Sequence, residues 1–152
     1  NMQRHSSIIP LSRDHHTGLL CCWKLRQGIR KSIKAERMAA YLLYFWNTHL
    51  VKHFKEEESL LFNTTDDPLC TQAVLQHEEF QTLVGKIQST AITEEIAQFA
   101  DLLEHHIRFE ERVVFPHLEK SFNQEKLASL GKRIEDLHAQ PVPDDFPDEF
   151  WK

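Results

Sequence analysis

The sequence predicts an all-α fold, an up-down-up-down four-helix bundle followed by a short fifth helix. Three observations carry that expectation. Glycine is scarce, 4 in 152 residues, and five of the six prolines (Pro10, Pro68, Pro141, Pro143, Pro147) stand at segment edges, which leaves long stretches uninterrupted. Those stretches place their apolar residues at helical spacing, without strand-like alternation. The connections between them are short, as between neighbouring helices of a bundle.

The first helix follows from Ser12 and Asp14, which precede an apolar-periodic stretch reaching about Ile29, with Gly28 as a breaker near its end. The second runs from about Ala35 to Phe62 through Met38, Leu42, Phe45, Trp46 and Leu50, and the loop Asn63 to Asp67 ends it. Pro68, a good first-turn residue, opens the third, which continues through Val74, Leu75, Phe80 and Leu83 to about Gln88. Thr93 followed by Glu94 and Glu95 puts acids at the positive end of the fourth helix, which extends to about Phe115, where Pro116 should bend or end it. The fifth helix spans about Gln124 to Leu137. Residues 1–140 are thus read as the bundle and 141–152 as a Pro-rich, acidic and aromatic tail whose Phe146, Phe150 and Trp151 are expected to dock on it.

Composition bounds the function. A formal charge of -5 gives no general positive field to hold phosphate backbones, so no nucleic-acid partner is expected. No apolar run approaches the roughly 20 residues of a membrane span, and the first residues lack the hydrophobic core of a signal peptide, so a cytoplasmic protein with no membrane partner is expected. Three cysteines, Cys21, Cys22 and Cys70, form no C-x-x-C pair and read as reduced, buried thiols. Histidine, at ten residues, is the unusual count.

An internal repeat gives those histidines a pattern. His53 to Phe62 (HFKEEESLLF) and His106 to Phe115 (HIRFEERVVF) align without gaps at an offset of 53, with four identities. On a helix, four residues amount to about 6 Å of rise and about 40° of rotation, so His53 projects with Glu57, and His106 with Glu110, from one face. The other two long helices each bring a histidine, His15 and His77. Carboxylates buried without partners cost several kcal/mol each, and divalent metals satisfy them. Four His and two Glu suit two iron-like ions, each taking two imidazoles and one oxygen from each bridging Glu, with positions left for an exchangeable ligand. Two rival metal patterns fall away: Glu-x-x-His occurs once, at Glu135–His138, and the zinc-protease pattern His-Glu-x-x-His is broken because Gln81 follows His77-Glu78-Glu79-Phe80.

Three segments resemble the hemerythrin-like, His-His-Glu cation-binding family: Leu11-Ser-Arg-Asp-His-His, His53-x-x-x-Glu57 with Leu-Leu-Phe, and His106-x-x-x-Glu110 with Val-Val-Phe-Pro; His77 fits the weaker third motif. The resemblance covers about residues 11 to 120. It implies two non-haem irons, oxo- or hydroxo-bridged, with Glu57 and Glu110 bridging, His15 and His53 on one iron and His77 and His106 on the other; manganese or a mixed pair suits the same donors. It also implies a small diatomic ligand or peroxide as partner, with function in binding or sensing oxygen, nitric oxide, iron or redox state. Enzymatic action on peroxide or nitric oxide, or an interaction module without metal turnover, are the alternatives. Oxygen-carrying members have a further histidine one turn after the one matched to His77; here Gln81 stands there, which would leave an open or water-filled position.

The neighbours have blander readings. His16, His49 and His105 are expected to be exposed or to support ligands, and His5, His117 and His138 to be solvated. Glu56, Glu58 and Glu111 extend acidic runs that normally form a wet face, although Glu111 could replace Glu110 if that turn is overwound. Leu103 resembles the family's apolar ligand-pocket position and suits a plain core leucine equally.

Overall fold

The computed structural model describes residues 4–138 and 142–152, so the expected boundary between bundle and tail, and Pro141, lie outside the described residues. The chain is all-helical. α1 (Ile9–Arg30) comes first. α2 (Ala35–Phe45) continues through a π-helical turn, Trp46–Leu50, into α3 (Val51–Leu60), and a single 3-10 turn, Phe62–Thr64, follows. α4 (Pro68–Ser89) precedes α5 (Thr93–Phe109), which runs through a second π turn, Glu110–Val114, into α6 (Phe115–Ser121); α7 (Gln124–Leu137) is last. Among the described residues there is no strand, and no helix is long and apolar enough to cross a membrane.

Local chemistry explains most boundaries. Asp67 caps α4, its carboxylate accepting from the Leu69 N–H at 2.9 Å, with Pro68 behind it; Asn123 caps α7 in the same way, accepting from Lys126 at 2.8 Å. Two boundaries differ from the expected ones. α1 begins at Ile9, before Ser12, because Pro10 is pre-set for the first turn. The fourth rod does not end at Pro116 but continues to Ser121. The π turn just before it, closed by the Phe115 N–H on the Glu110 carbonyl, re-spaces the hydrogen bonds so that a residue without an N–H is accommodated.

Gly28 does not break α1 either; it lies buried within it, and a Cβ there would stand 2.7 Å from the Phe150 ring and 2.8 Å from the Met38 sulfur. Its role is close approach. The described tail supplies that neighbour: Phe150 and Trp151 are buried, and Asp144 pairs with Lys24 at 2.9 Å. The expected docking of the tail's aromatics is what the structure shows.

α1 packs along α5, α4 along α5, and α2 against α1, α4 and α5. The apolar interior falls into two blocks. One gathers Leu25, Leu42, Phe45, Phe54, Phe80, Phe99, Leu103 and Ile107; the other gathers Leu11, Leu60, Ala73, Val114, Phe115, Leu118 and Ile134. Along α1, α3, α4 and the α5 rod, residues of the two blocks bracket the buried His and Glu residues, so a polar belt crosses an otherwise apolar core.

Cys21, Cys22 and Cys70 are all free and buried. Burial pushes the thiols of Cys22 and Cys70 up to about 12 and raises that of Cys21 well above its usual value. The folded protein is therefore expected to leave all three unlabelled by a disulfide-exchange reagent at neutral pH, and denaturant to release them together. Rapid labelling of any one in the folded state would contradict the packing.

Candidate metal centre

The six predicted residues come from four rods: His15 from α1, His53 and Glu57 from α3, His77 from α4, His106 from the last turn of α5 and Glu110 from the π turn that follows. All six are buried, and both glutamates are fully so. The structure brings them all together. They form two groups of four that share both carboxylates: His15, His53, Glu57 and Glu110, and Glu57, His77, His106 and Glu110. Within each group the donor atoms lie within 4.8 Å of one another.

The carboxylates divide their oxygens between the groups. Glu57 Oε2 lies 3.2 Å from His53 Nε2 and 3.8 Å from His15 Nε2, while its Oε1 lies 3.2 Å from His77 Nε2. Glu110 Oε1 stands 2.8 Å from His15 Nε2, and Oε2 is 3.1 Å from His106 Nε2 and 3.9 Å from His77 Nε2. Every imidazole points Nε2 inward.

The outward nitrogens are each held by an acceptor. His15 Nδ1 donates to Glu111 at 2.7 Å, His53 to Asp14 at 2.9 Å, His77 to Glu58 at 2.7 Å and His106 to the Gln76 amide oxygen at 2.5 Å. Such partners fix ring orientation and keep the proton on Nδ1, which frees Nε2 for a cation. Apolar rings add rigidity: Phe54 stacks on His77 with centroids 3.9 Å apart, and Phe115 on His15 at 5.6 Å. Sequence reading missed this outer ring, taking Glu58 and Glu111 as a wet face. Glu111 does not replace Glu110; the turn is widened to π rather than overwound, and the neighbouring acid reaches His15 instead.

At His15, His53, His77 and Glu57 burial opposes charge, yet the mutual pairing wins. Burial would lower His53, but the Glu57 carboxylate and the Asp14 bond reverse this, and its imidazole is pushed up to about 10. His15 is raised well above the usual value because Glu110, Glu111 and Glu57 outweigh burial, and His77 is raised because Glu57, Glu110 and Glu58 do. Burial would raise Glu57, but His53, His15 and His77 hold its carboxyl well below the usual carboxylate range.

Even so, the pairing is incomplete. Nε2 of His53, His77 and His106, both oxygens of Glu57 and Oε2 of Glu110 are buried without a hydrogen-bond partner. Orphaned donors aimed at common points are what a cation would satisfy, and imidazole with carboxylate is a donor set that suits iron, manganese and zinc. The residues fit a metal.

A model of the hemerythrin HHE cation-binding domain matches residues 13–118, a stretch that contains all six. The chain belongs to this family. Comparisons with curated proteins and with solved structures gave no match. For this hemerythrin HHE domain the family and the buried His/Glu groups agree on metal binding, while α7 and the tail lie beyond the matched stretch.

The remaining expectations divide. Gln81 is exposed and turned away from the centre; the buried residue one turn after His77 is Phe80, edge-on to His106 at 5.5 Å. A second residue on a helix face recurs at i+3 or i+4, and here the i+3 position turns inward. His16 and His105 are exposed. His117 pairs with Asp67, and His5 is half-buried. His138 is not solvated: it lies 3.1 Å from Glu56 and 3.5 Å from Asp14, because α7 packs against α3.

A cavity leads inward past Thr48, His49, Leu103 and Ile107 to His15, His53 and His106. Leu103 is thus both a core residue and a cavity wall. His49 stacks on Phe45 at 4.8 Å, and burial lowers its imidazole, which keeps it neutral beside the cavity.

Proposed function

We propose that this hemerythrin HHE domain holds a pair of non-haem iron ions bridged by Glu57 and Glu110, and uses the pair to bind or sense oxygen, nitric oxide, or iron and redox state. The observation that carries it is the division of both carboxylates: Glu57 turns one oxygen toward His15 and His53 and the other toward His77, and Glu110 turns one toward His15 and the other toward His77 and His106. When bound, the ions would supply Lewis acidity and one-electron chemistry. The chain's own part is to hold four Nε2 atoms inward, to fix the rings through Asp14, Gln76, Glu58 and Glu111, and to line the approach with Leu103 and Ile107.

The same proposal takes the fold as an up-down-up-down bundle. α1 meets the block of Leu11 before that of Leu25; α3 meets Phe54 before Leu60; α4 meets Ala73 before Phe80; and the α5 rod meets Leu103 before Val114. That alternation supports reversing directions. Residues 1–140 form the bundle domain and 141–152 its tail, and the reduced thiols favour a cytoplasmic setting.

Protein purified without chelator is expected to carry about two irons per chain, with near-ultraviolet and visible charge-transfer absorption, and His53→Ala is expected to lose at least one of them. Because the imidazoles of His15, His53 and His77 are raised, cation uptake by the stripped protein displaces protons, so apparent affinity rises with pH through the neutral range. Manganese in place of iron would change the metal and keep the site. Metal content near zero, unaltered by His53→Ala, would end the proposal.

The cavity reaching His15, His53 and His106 favours a second version, turnover of peroxide or nitric oxide. Stopped-flow mixing of the reduced protein with each separates them: a stable adduct supports binding, and repeated consumption supports catalysis.

A further inference from the structure

Asp14, Glu56 and His138 converge from three elements, α1, α3 and the residue that closes α7, with one donor atom from each lying within 4.8 Å of the others. His138 Nδ1 is 3.1 Å from Glu56 Oε1, and its Nε2 is 3.5 Å from Asp14 Oδ1. Asp14 divides its oxygens: Oδ2 accepts from His53 Nδ1, while Oδ1 turns to His138. None of the three belongs to the two inner groups of donors, and all three line the cavity that reaches His15, His53 and His106.

We propose that Asp14, Glu56 and His138 form a separate binding site for a divalent first-row transition cation at the rim of that cavity. Two carboxylates and one neutral imidazole offer a charge of -2 and a mixed oxygen and nitrogen set, which suits manganese, iron, cobalt or zinc better than calcium or magnesium. Donors about 2.0–2.2 Å from one ion stand no more than about 4.4 Å apart, against at most 4.8 Å here, and His138, whose Nδ1 faces Glu56 and whose Nε2 faces Asp14, brings one nitrogen to the ion by turning its ring. The three side chains are partly buried, at the edge of the cavity rather than among the inner donors. His138 Nδ1 is buried without a hydrogen-bond partner, in keeping with a donor that a cation would complete. Water fills the remaining positions, so this site binds more weakly than the buried ones. His138 lies beyond the stretch that matches the family, so the rim site belongs to this chain's own C-terminal helix.

The test is equilibrium dialysis of chelator-stripped protein against graded cobalt(II), with bound metal counted by elemental analysis and its coordination followed in the visible spectrum. Wild-type protein is expected to show a weaker phase of one further ion per chain. His138→Ala and Glu56→Gln, both at the edge of the fold, are expected to lose that phase and retain the tighter ones, with unchanged far-ultraviolet dichroism. His53→Ala is expected to do the reverse, losing tight binding while a phase that depends on His138 persists. The two proposals therefore fail separately: a weak phase in His53→Ala that His138→Ala abolishes keeps the rim site even without an inner pair. If His138→Ala and Glu56→Gln reproduce every phase of the wild-type isotherm, or if wild type shows no weaker phase, the rim site is overturned.

Discussion

Glu57→Ala is expected to abolish binding of both ions and to destabilise the metal-free protein by about 3–5 kcal/mol, the range for removing one partner of a buried ion pair. Glu57 is fully buried and faces three imidazoles, His53 and His77 at 3.2 Å and His15 at 3.8 Å. In the metal-free protein it is their counter-ion, and its own carboxyl is held well below the usual range by the same groups. Removing it takes away the charge that holds those buried imidazoles protonated and leaves a cavity among them. With metal present the loss differs in kind, because each donor group surrenders one oxygen. His77→Ala, by contrast, strips a donor from one group only. Glu57→Gln separates charge from volume: it nearly preserves packing and is still expected to lose metal. Urea denaturation of stripped protein and elemental analysis of protein as purified read the two effects. Wild-type metal content in Glu57→Ala would remove the shared carboxylate from the centre.

The inner cluster of His and Glu was legible because the chemistry repeats at a helical period. His53 with Glu57 and His106 with Glu110 are four apart in matching surroundings, and that spacing alone puts each pair on one face. The acceptors behind the imidazoles were not legible, for a geometric reason. Asp14, Glu58, Gln76 and Glu111 are each chain neighbours of one of the six inner donors, but each serves a donor on another rod: Asp14, beside His15, binds His53, and Glu111, beside Glu110, binds His15. Successive residues on a helix diverge by about 100°, so the neighbour of an inner donor points sideways at the adjacent rod rather than at the shared centre. An acid or amide next to a buried ligand is the signal that could have found them. The π turns were also hidden. The two repeat copies look alike, yet the first follows a π turn and the second contains one, and only Pro116 hinted that the second rod needed re-spacing. His138 escaped because its partners, Asp14 and Glu56, are distant in sequence and meet it only once α7 packs on α3.

Asp144→Ala is expected to cost about 3–5 kcal/mol as well, at a place far in sequence from the repeated His and Glu motifs. Lys24 is 6 % exposed, and its ammonium lies 2.9 Å from Asp144 Oδ2 and 4.3 Å from the Trp151 ring centroid. The same Oδ2 accepts from the Tyr41 hydroxyl at 2.6 Å, and burial raises the Tyr41 phenol, so it stays a donor. Taking the carboxylate away strands a buried cation and a buried hydroxyl together. Lys24→Met in the Asp144→Ala background removes the stranded charge, so the double variant is expected to recover most of the loss, whereas two independent surface effects would simply add. Gly28→Val approaches the same contact from the other side: its branched side chain collides with Phe150 and Met38, so it should loosen the tail without touching any charge. Melting temperature and the rate of proteolysis within 142–152 read all three variants. If Asp144→Ala melts like wild type and its tail is cut no faster, the Lys24–Asp144 pair does not hold the tail down, and the burial of Phe150 and Trp151 must suffice by itself.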